Sequence, residues 1–465
     1  MLYKNGIDLK PTLTYAILAK AQEFRDRGHV VLDTAFGRND LTQCLPETLI
    51  KKFQEVHSNK KVLSPISQYY DPQGLPKLRQ LIADEEQERI YKKAGLKITA
   101  DNVFIPPTSK GGLDYVTSLL SAAVVIDDCA YPSYAPLAKI NSCPVFRYSY
   151  KSMDEFDKAI KKSLEVKDVI IVVLTNPNNP SGRLFSRKDL KERAEVMQRN
   201  SSDKKTIICL ADEIYDRIVY PDYEFVSMAE IYPLTLRSCG YSKNEALAGL
   251  RLGKLIVSPE LSYLIKDFKS IATHRHGSVN CAAQLALTEI YNKDISKELD
   301  GKSTYSLIQE FYLKESLIYA LISKKSLEVI KEVFDVEDNP GGSFYALIKL
   351  RSKYKKMFLE KGITTGIALA EYILEETMST HKVGIPLLPV SGFGGEDSDF
   401  SFRIVFKYCD DYQKAFDSLD IDFVKKLFKE KNNRLDSFPN ADEWYEKYCS
   451  LLKKGLEGLV KTVRS

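Results

Sequence analysis

Three short stretches of the 465-residue chain carry side chains whose types and spacing could do covalent chemistry. In "GYSKNEALAGLRLG", residues 240–253, Lys243 stands behind a serine among small and apolar neighbours, and Arg251 follows eight residues later. A lysine shielded from water has its charged form disfavoured, so its amine becomes a nucleophile able to form a Schiff base with a carbonyl. Arg251 offers a planar, permanently charged fork suited to phosphate. In "ADEIYDRIVY", Asp212 falls where an apolar run ends, and Tyr215 lies three residues on, within reach of the same cavity across a helical turn. A carboxylate there needs a cationic partner. In "NPNNPSG", residues 176–182, two prolines and a glycine enforce a tight loop that presents the amides of Asn178 and Asn179.

The elements that must position these groups are legible as apolar runs. "VVIDD" (residues 124–128), "VIIVVLT" (169–175) and "TIICLADE" (206–213) are β-branched and bounded by polar or turn residues, as in buried parallel strands. Between them lie helical patterns such as "SRKDLKERAEVMQR", with Ser186 as N-cap. Alternating strands and helices imply an α/β sheet, whose ligand chemistry collects at the carboxyl ends of the strands. Beyond residue 300 the texture changes: "GGSFYALIKL" and "FSFRIVFKY" read as strands of a smaller α+β domain. The tail places Leu451, Leu452, Leu456, Leu459, Val460 and Val463 on a helical period. There is no internal repeat and no low-complexity linker.

Composition excludes several classes. Apolar residues make 44% and charged residues 28% of the chain, and 67 basic against 63 acidic side chains leave +4, too little for a dedicated nucleic-acid binder. The runs "KDLKER" and "VKKLFKEKNNR" read as solvated helix faces. No apolar run reaches the ~18 residues of a membrane span, and the first residues lack a signal-peptide layout. Eight cysteines without a CxxC pair suggest neither zinc nor a disulfide framework, which fits the cytoplasm. His274 and His276 are two apart with no HExxH, so no metal site is expected. A P-loop fails at Leu255 and Ala248, and no G-x-G-x-x-G follows the first strand.

Lysine for an aldehyde, arginine for a phosphate, aspartate for a ring N–H, and Tyr215 with Asn179 for a ring hydroxyl together describe pyridoxal phosphate. The ordered set, 33 residues from Asn179 to Asp212 and 31 from there to Lys243, resembles the class I and II aminotransferases. These belong to the fold-type-I superfamily of pyridoxal-phosphate enzymes, with aspartate aminotransferase as type member, and the resemblance covers roughly residues 30 to 410. It implies an α/β fold with a large domain, residues 42–305, around a mainly parallel sheet. A smaller α+β domain would come from residues 1–41 and 306–465.

By the same resemblance Lys243 is the Schiff-base lysine, with Ser242 beside it. Asp212 is the ring-nitrogen partner, Tyr215 and Asn179 the hydroxyl ligands, and Arg251 the phosphate arginine. "PPTSKGGLDYV" resembles the phosphate-binding turn, in which Lys110, Gly111 and Gly112 offer N–H groups at a helix start. "CAYPSY" places Tyr131 as the aromatic stacked on the ring. "QYYDPQGLPKLR" supplies a tyrosine that reaches the neighbouring subunit's phosphate in a homodimer: Tyr69 or Tyr70, with Tyr69 preferred by its distance to Gly74. "FGRND" puts Gly37 near the substrate carboxylate, and "SFRIVF" gives Arg403 as its ligand; an apolar strand with one arginine independently calls for an anion.

Four positions depart from the family: Gly240, Gly112, Lys110, where a small or hydroxylated residue is usual, and Cys129, where a proline is usual. Gly240 stands where a serine or threonine phosphate ligand is usual, and Lys110 is the candidate replacement. Gly112 likewise stands where a hydroxyl is common. The implied reaction moves an amino group between an α-amino acid and a 2-oxo acid. The alternatives are elimination or cyclisation by a lyase or synthase of the same fold, or a non-catalytic regulator.

Overall fold

The computed structural model describes residues 13–58, 68–294, 301–429 and 435–465. Residues 1–12 of the N-terminal arm and the end of the charged run at 424–434 lie outside them. Eleven strands are present among the described residues. They are β1 (Val103–Phe104), β2 (Ala122–Asp127), β3 (Val145–Tyr148), β4 (Val169–Thr175), β5 (Thr206–Asp212), β6 (Thr235–Gly240), β7 (Gly253–Val257), β8 (Phe334–Val336), β9 (Tyr345–Leu350), β10 (Leu388–Pro389) and β11 (Ser401–Val405).

The first seven form one sheet in the order β1-β7-β6-β5-β4-β2-β3. β2 to β6 run parallel, while β7 is antiparallel to both its neighbours. The three β-branched runs are its central strands, and alternate side chains enter opposite faces. Val124, Ile126, Ile171, Val173, Ile208 and Leu210 pack on one side with the helices Gly111–Leu119 and Ile265–Arg275. Val125, Ile170, Val172, Ile207 and Cys209 pack on the other with Phe156, Leu190 and Met197. The helix Arg187–Asn200 begins as its sequence predicts: the Ser186 hydroxyl accepts from the Asp189 N–H, and the Asp189 carboxylate answers the Ser186 N–H.

A second, antiparallel sheet has the order β10-β11-β9-β8. Residues 31–34 join it, since the N–H groups of Leu32 and Val405 bond the carbonyls of Gly384 and Thr34. The 27-residue helix Thr304–Ile330 links the two sheets. The tail helix Ser450–Arg464 buries Leu452, Leu456, Leu459 and Val463. The second sheet has its own core, and Tyr345 of β9 and Arg403 of β11 meet Tyr215 and Asn179 just beyond the carboxyl ends of β5 and β4.

Candidate active site

A cavity of about 330 Å³ opens where the parallel strands end. Tyr15, Gly37, Lys110, Tyr131, Asn179, Asp212, Tyr215, Ser242, Lys243, Arg251 and Arg403 all line it, as do Thr108, Ser109, Tyr134, Thr175 and Tyr345. Most of the residues singled out by sequence motif, drawn from positions 37 to 403, therefore meet in one place.

Lys243 sits in the turn after β6, and its Nζ donates to the Gly37 carbonyl. Burial, then the positive charges of Arg403, Lys407 and Arg251, lowers its amine to about 7, against a smaller opposing pull from Asp212. At neutral pH a large fraction of this amine is therefore unprotonated.

Asp212 ends β5. Burial raises its carboxyl to about 6, although the Tyr134 hydroxyl, donating at 2.5 Å to Oδ2, and the Ile214 N–H favour the charged form. Its other oxygen, Oδ1, is buried and has no protein partner among the described residues. An orphaned buried carboxylate oxygen at a cavity wall fits a protonated ring nitrogen. Tyr215 lies on a hydrogen-bonded turn rather than the helical turn expected, because the Asp216 N–H bonds Glu213 and the Ile218 N–H bonds Tyr215. Its hydroxyl meets that of Tyr345 at 2.8 Å. Beneath this turn the buried Arg237 guanidinium of β6 binds Glu86, Glu213 and Asp216, tying the end of β5 and the following turn to the helix Pro76–Glu86.

Arg403, from β11, is buried, with its Nη1 donating to Asn179 Oδ1 at 3.0 Å and Nη2 to the Ala35 carbonyl at 2.6 Å. The rings of Tyr345 and Phe393 flank the guanidinium at 4.6 and 4.9 Å. Its Nε is buried without a partner, and no carboxylate pairs with it among the described residues. Such a guanidinium is a built anion site. Of the two loop asparagines, Asn178 caps its own loop by accepting from the N–H and hydroxyl of Ser181, while Asn179 faces the cavity.

The turn expected to hold the phosphate differs in detail from its sequence reading. Gly111 and Gly112 do not line the cavity, and their N–H groups already bond the carbonyls of Thr108 and Ser109. They are glycines because a Cβ would lie 2.3 Å from Pro106 Cβ at 111 and 3.0 Å from Leu255 Cδ1 at 112. Among the described residues the N–H groups of Ser109 and Lys110 bond no backbone carbonyl, and Thr108 and Ser109 line the cavity beside them. Gly240 is likewise a packing residue, paired with Gly253 in the sheet. A Cβ at Gly253 would lie 2.5 Å from the Thr108 carbonyl, so that glycine lets the turn approach, while a Cβ at Gly240 would crowd the Leu252 carbonyl at 3.1 Å and Ile214 Cδ1 at 3.2 Å. Lys110 Nζ lies 5.6 Å above the Tyr131 ring and has no acidic partner among the described residues. Arg251, at φ 57° and exposed, donates to the Ala248 carbonyl at the cavity edge. Tyr69 is 99% exposed and Tyr70 partly buried against the core, and neither lines this cavity.

Tyr134, Thr175, Tyr345, Thr108 and Ser109 were not anticipated. Thr108 and Ser109 carried a local signal, two hydroxyls ahead of a helix start. The other three are common residue types whose place depends on the tertiary fold. His274 and His276 lie outside the cavity, where His276 Nε2 meets the Tyr115 hydroxyl. Among the described residues no cluster of three or more His, Cys, Asp or Glu could hold a metal, and no helix is long and apolar enough to cross a membrane.

The parallel sheet, the shielded lysine and the orphaned carboxylate oxygen fit a fold-type-I pyridoxal-phosphate enzyme. Residues 33–376 match the family described as aminotransferase class I and II. An asparagine–oxo-acid transaminase of Streptococcus mutans is 26% identical, over 85% of this chain and 93% of its own. An aspartate aminotransferase of a Bacillus species is 24% identical, over 83% and 90%. The crystal structure of the Rhizobium meliloti aspartate aminotransferase superposes with a TM-score of 0.69 at 19% identity, covering 94% of this chain and 99% of that one. The chain belongs to the class I and II aminotransferases, and it is a pyridoxal-phosphate-dependent enzyme that moves amino groups between amino acids and 2-oxo acids. The relatives named here are transaminases, which favours amino transfer over the lyase and regulator readings.

Proposed function

We propose that this enzyme transaminates an amino-dicarboxylic acid or its amide, with Lys243 as the reacting lysine and Lys110 as the reader of the substrate's far end. Lys110 carries the substrate reading: it is a cavity-lining ammonium without an acidic partner among the described residues, over the aromatic ring of Tyr131. Of the other cations at the cavity mouth, Arg38 is held by Asp40 at 2.6 Å and Arg251 is assigned to the cofactor phosphate. The relatives named for aspartate and asparagine, and a structural neighbour solved with maleate, support the same class.

Pyridoxal phosphate, when bound, supplies the ring that accepts the electron pair left by the departing α-proton. The chain does the rest. The Arg403 fork orients the α-carboxylate, aided by Asn179. Asp212 holds the proton on the ring nitrogen, while Tyr215 and Asn179 address the ring hydroxyl. Lys243, with its amine near neutrality, takes the α-proton and returns it. The Thr108, Ser109 and Ser242 hydroxyls, the N–H groups of Ser109 and Lys110, and Arg251 form the phosphate cradle. This set replaces the hydroxyl missing at Gly240 and leaves the Lys110 ammonium for substrate.

A homodimer in the cytoplasm completes the reading. The exposure of Tyr69 supports a reach into a partner's site, and eight free, buried cysteines support a reducing compartment. The domain boundary proposed at residue 305 falls at the start of the helix linking the two sheets.

Steady-state rates with aspartate, asparagine and phenylalanine against one oxo acid test the substrate class. Lys110→Met is expected to raise KM for aspartate about tenfold, the worth of one charge-assisted hydrogen bond, and to spare phenylalanine. Equal losses for both would assign Lys110 to the cofactor phosphate instead.

A further inference from the structure

Residues 37–39 grip Lys243 at both ends. The Gly37 carbonyl accepts from its Nζ, and Asn39 Nδ2 donates to its backbone carbonyl at 2.5 Å. The Asn39 amide is itself saturated. Its oxygen accepts from the Leu41 N–H at 3.0 Å and the Tyr319 hydroxyl at 2.6 Å, and its second N–H goes to Glu315 Oε1. Glu315 and Tyr319 sit one turn apart on the helix Thr304–Ile330, and both are fully buried. An amide alone among side chains offers two donors and two acceptors in this geometry.

We infer that Asn39, held by Glu315 and Tyr319, is a positioning residue that fixes the Lys243 backbone and so keeps the free amine at one place in the cavity. The inference rests on the reading of Lys243 as the reacting lysine. A displacement of the Lys243 carbonyl moves the pivot of a flexible four-carbon side chain, and a misplacement of about 1 Å can cost about a hundredfold in rate. Burial pushes the Glu315 carboxyl well above the ordinary range, against the Asn39 bond. Its Oε1, fixed on the long helix, serves here as the acceptor that holds the Asn39 amide.

The test compares Asn39→Ala, Glu315→Leu, Glu315→Gln and the Asn39→Ala/Glu315→Leu pair in the holoenzyme. Asn39→Ala is expected to lower kcat by about tenfold or more while KM for the amino donor stays within about twofold, because the Arg403 grip does not involve Asn39. Freed of cofactor, the same variant should capture added pyridoxal phosphate more slowly, followed as borohydride-fixed mass on the Lys243 peptide. Glu315→Leu should lose kcat with it, the double variant no more than the worse single. Glu315→Gln, which keeps the acceptor, should remain within about threefold of wild type. Wild-type kcat and capture rate in folded Asn39→Ala would overturn the inference. Should that variant not fold, equal kcat in the two Glu315 variants would overturn it. Wild-type label on a lysine other than Lys243 would instead overturn the site assignment.

Discussion

Replacing Lys243 by methionine is expected to stabilise the cofactor-free protein by an amount that falls as pH rises. Burial and neighbouring positive charge lower the folded-state amine from 10.5 to about 7. Below pH 7 the amine is protonated in both the folded and the unfolded chain. The whole displacement then counts against folding, about 5 kcal/mol at about 1.4 kcal/mol per tenfold. Between pH 7 and 10.5 the unfolded chain binds more protons than the folded one, so the stability of the wild type climbs with pH, and above 10.5 the penalty vanishes. Methionine removes the penalty but also loses the bond to the Gly37 carbonyl, worth about 1 kcal/mol. The net gain is about 4 kcal/mol near pH 6.5 and close to zero near pH 9.5. Urea unfolding of both proteins, stripped of cofactor, at those two pH values measures it. A variant no more stable at the lower pH, or a gain independent of pH, would refute the claim that the folded site holds this amine against its protonation. A charge disfavoured for function and costly for stability is the usual trade at such sites.

Three further outcomes follow from the same geometry. Gly37→Ala places a Cβ 1.9 Å from the Tyr345 hydroxyl, so thermal unfolding should show a loss of about 1–3 kcal/mol, and kcat should fall as the Gly37 carbonyl shifts from Lys243. Tyr134→Phe removes the hydrogen bond that favours ionised Asp212, so the acid limb of the kcat/KM profile should move to higher pH; an unmoved or lowered limb would show that Asp212 does not set it. Arg403→Lys keeps a positive charge but loses the fork and its bond to Asn179, so KM for every amino donor should rise by about tenfold or more with the spectrum of bound cofactor unchanged.

Much of this site is legible in the chain because its chemistry needs rare residue types at strand ends. A lysine and an arginine among small residues, an aspartate closing a β-branched run, and an arginine alone in an apolar strand each pose an electrostatic problem visible in the sequence. The central strands and the helix capped by Ser186 were legible for similar reasons, since period and capping are local. What was not legible depends on long-range packing. Tyr345 and Tyr134 are common aromatics until β9 and the start of the helix Tyr134–Ile140 bring their hydroxyls to Tyr215 and Asp212. Gly240 reads as a missing ligand only until its pairing with Gly253 shows that a Cβ there would crowd the Leu252 carbonyl and Ile214. Asn39 lies two residues from Gly37, yet its role depends on a helix nearly three hundred residues away, with Glu315 at a separation of 276.

The most direct test of the account is covalent mapping. Borohydride reduction of the yellow holoenzyme, followed by peptide mass spectrometry, should place one reduced pyridoxal phosphate per chain on Lys243, and Lys243→Ala should lose both colour and adduct. Label on another lysine, or a colourless protein that takes up no added pyridoxal phosphate, would contradict it.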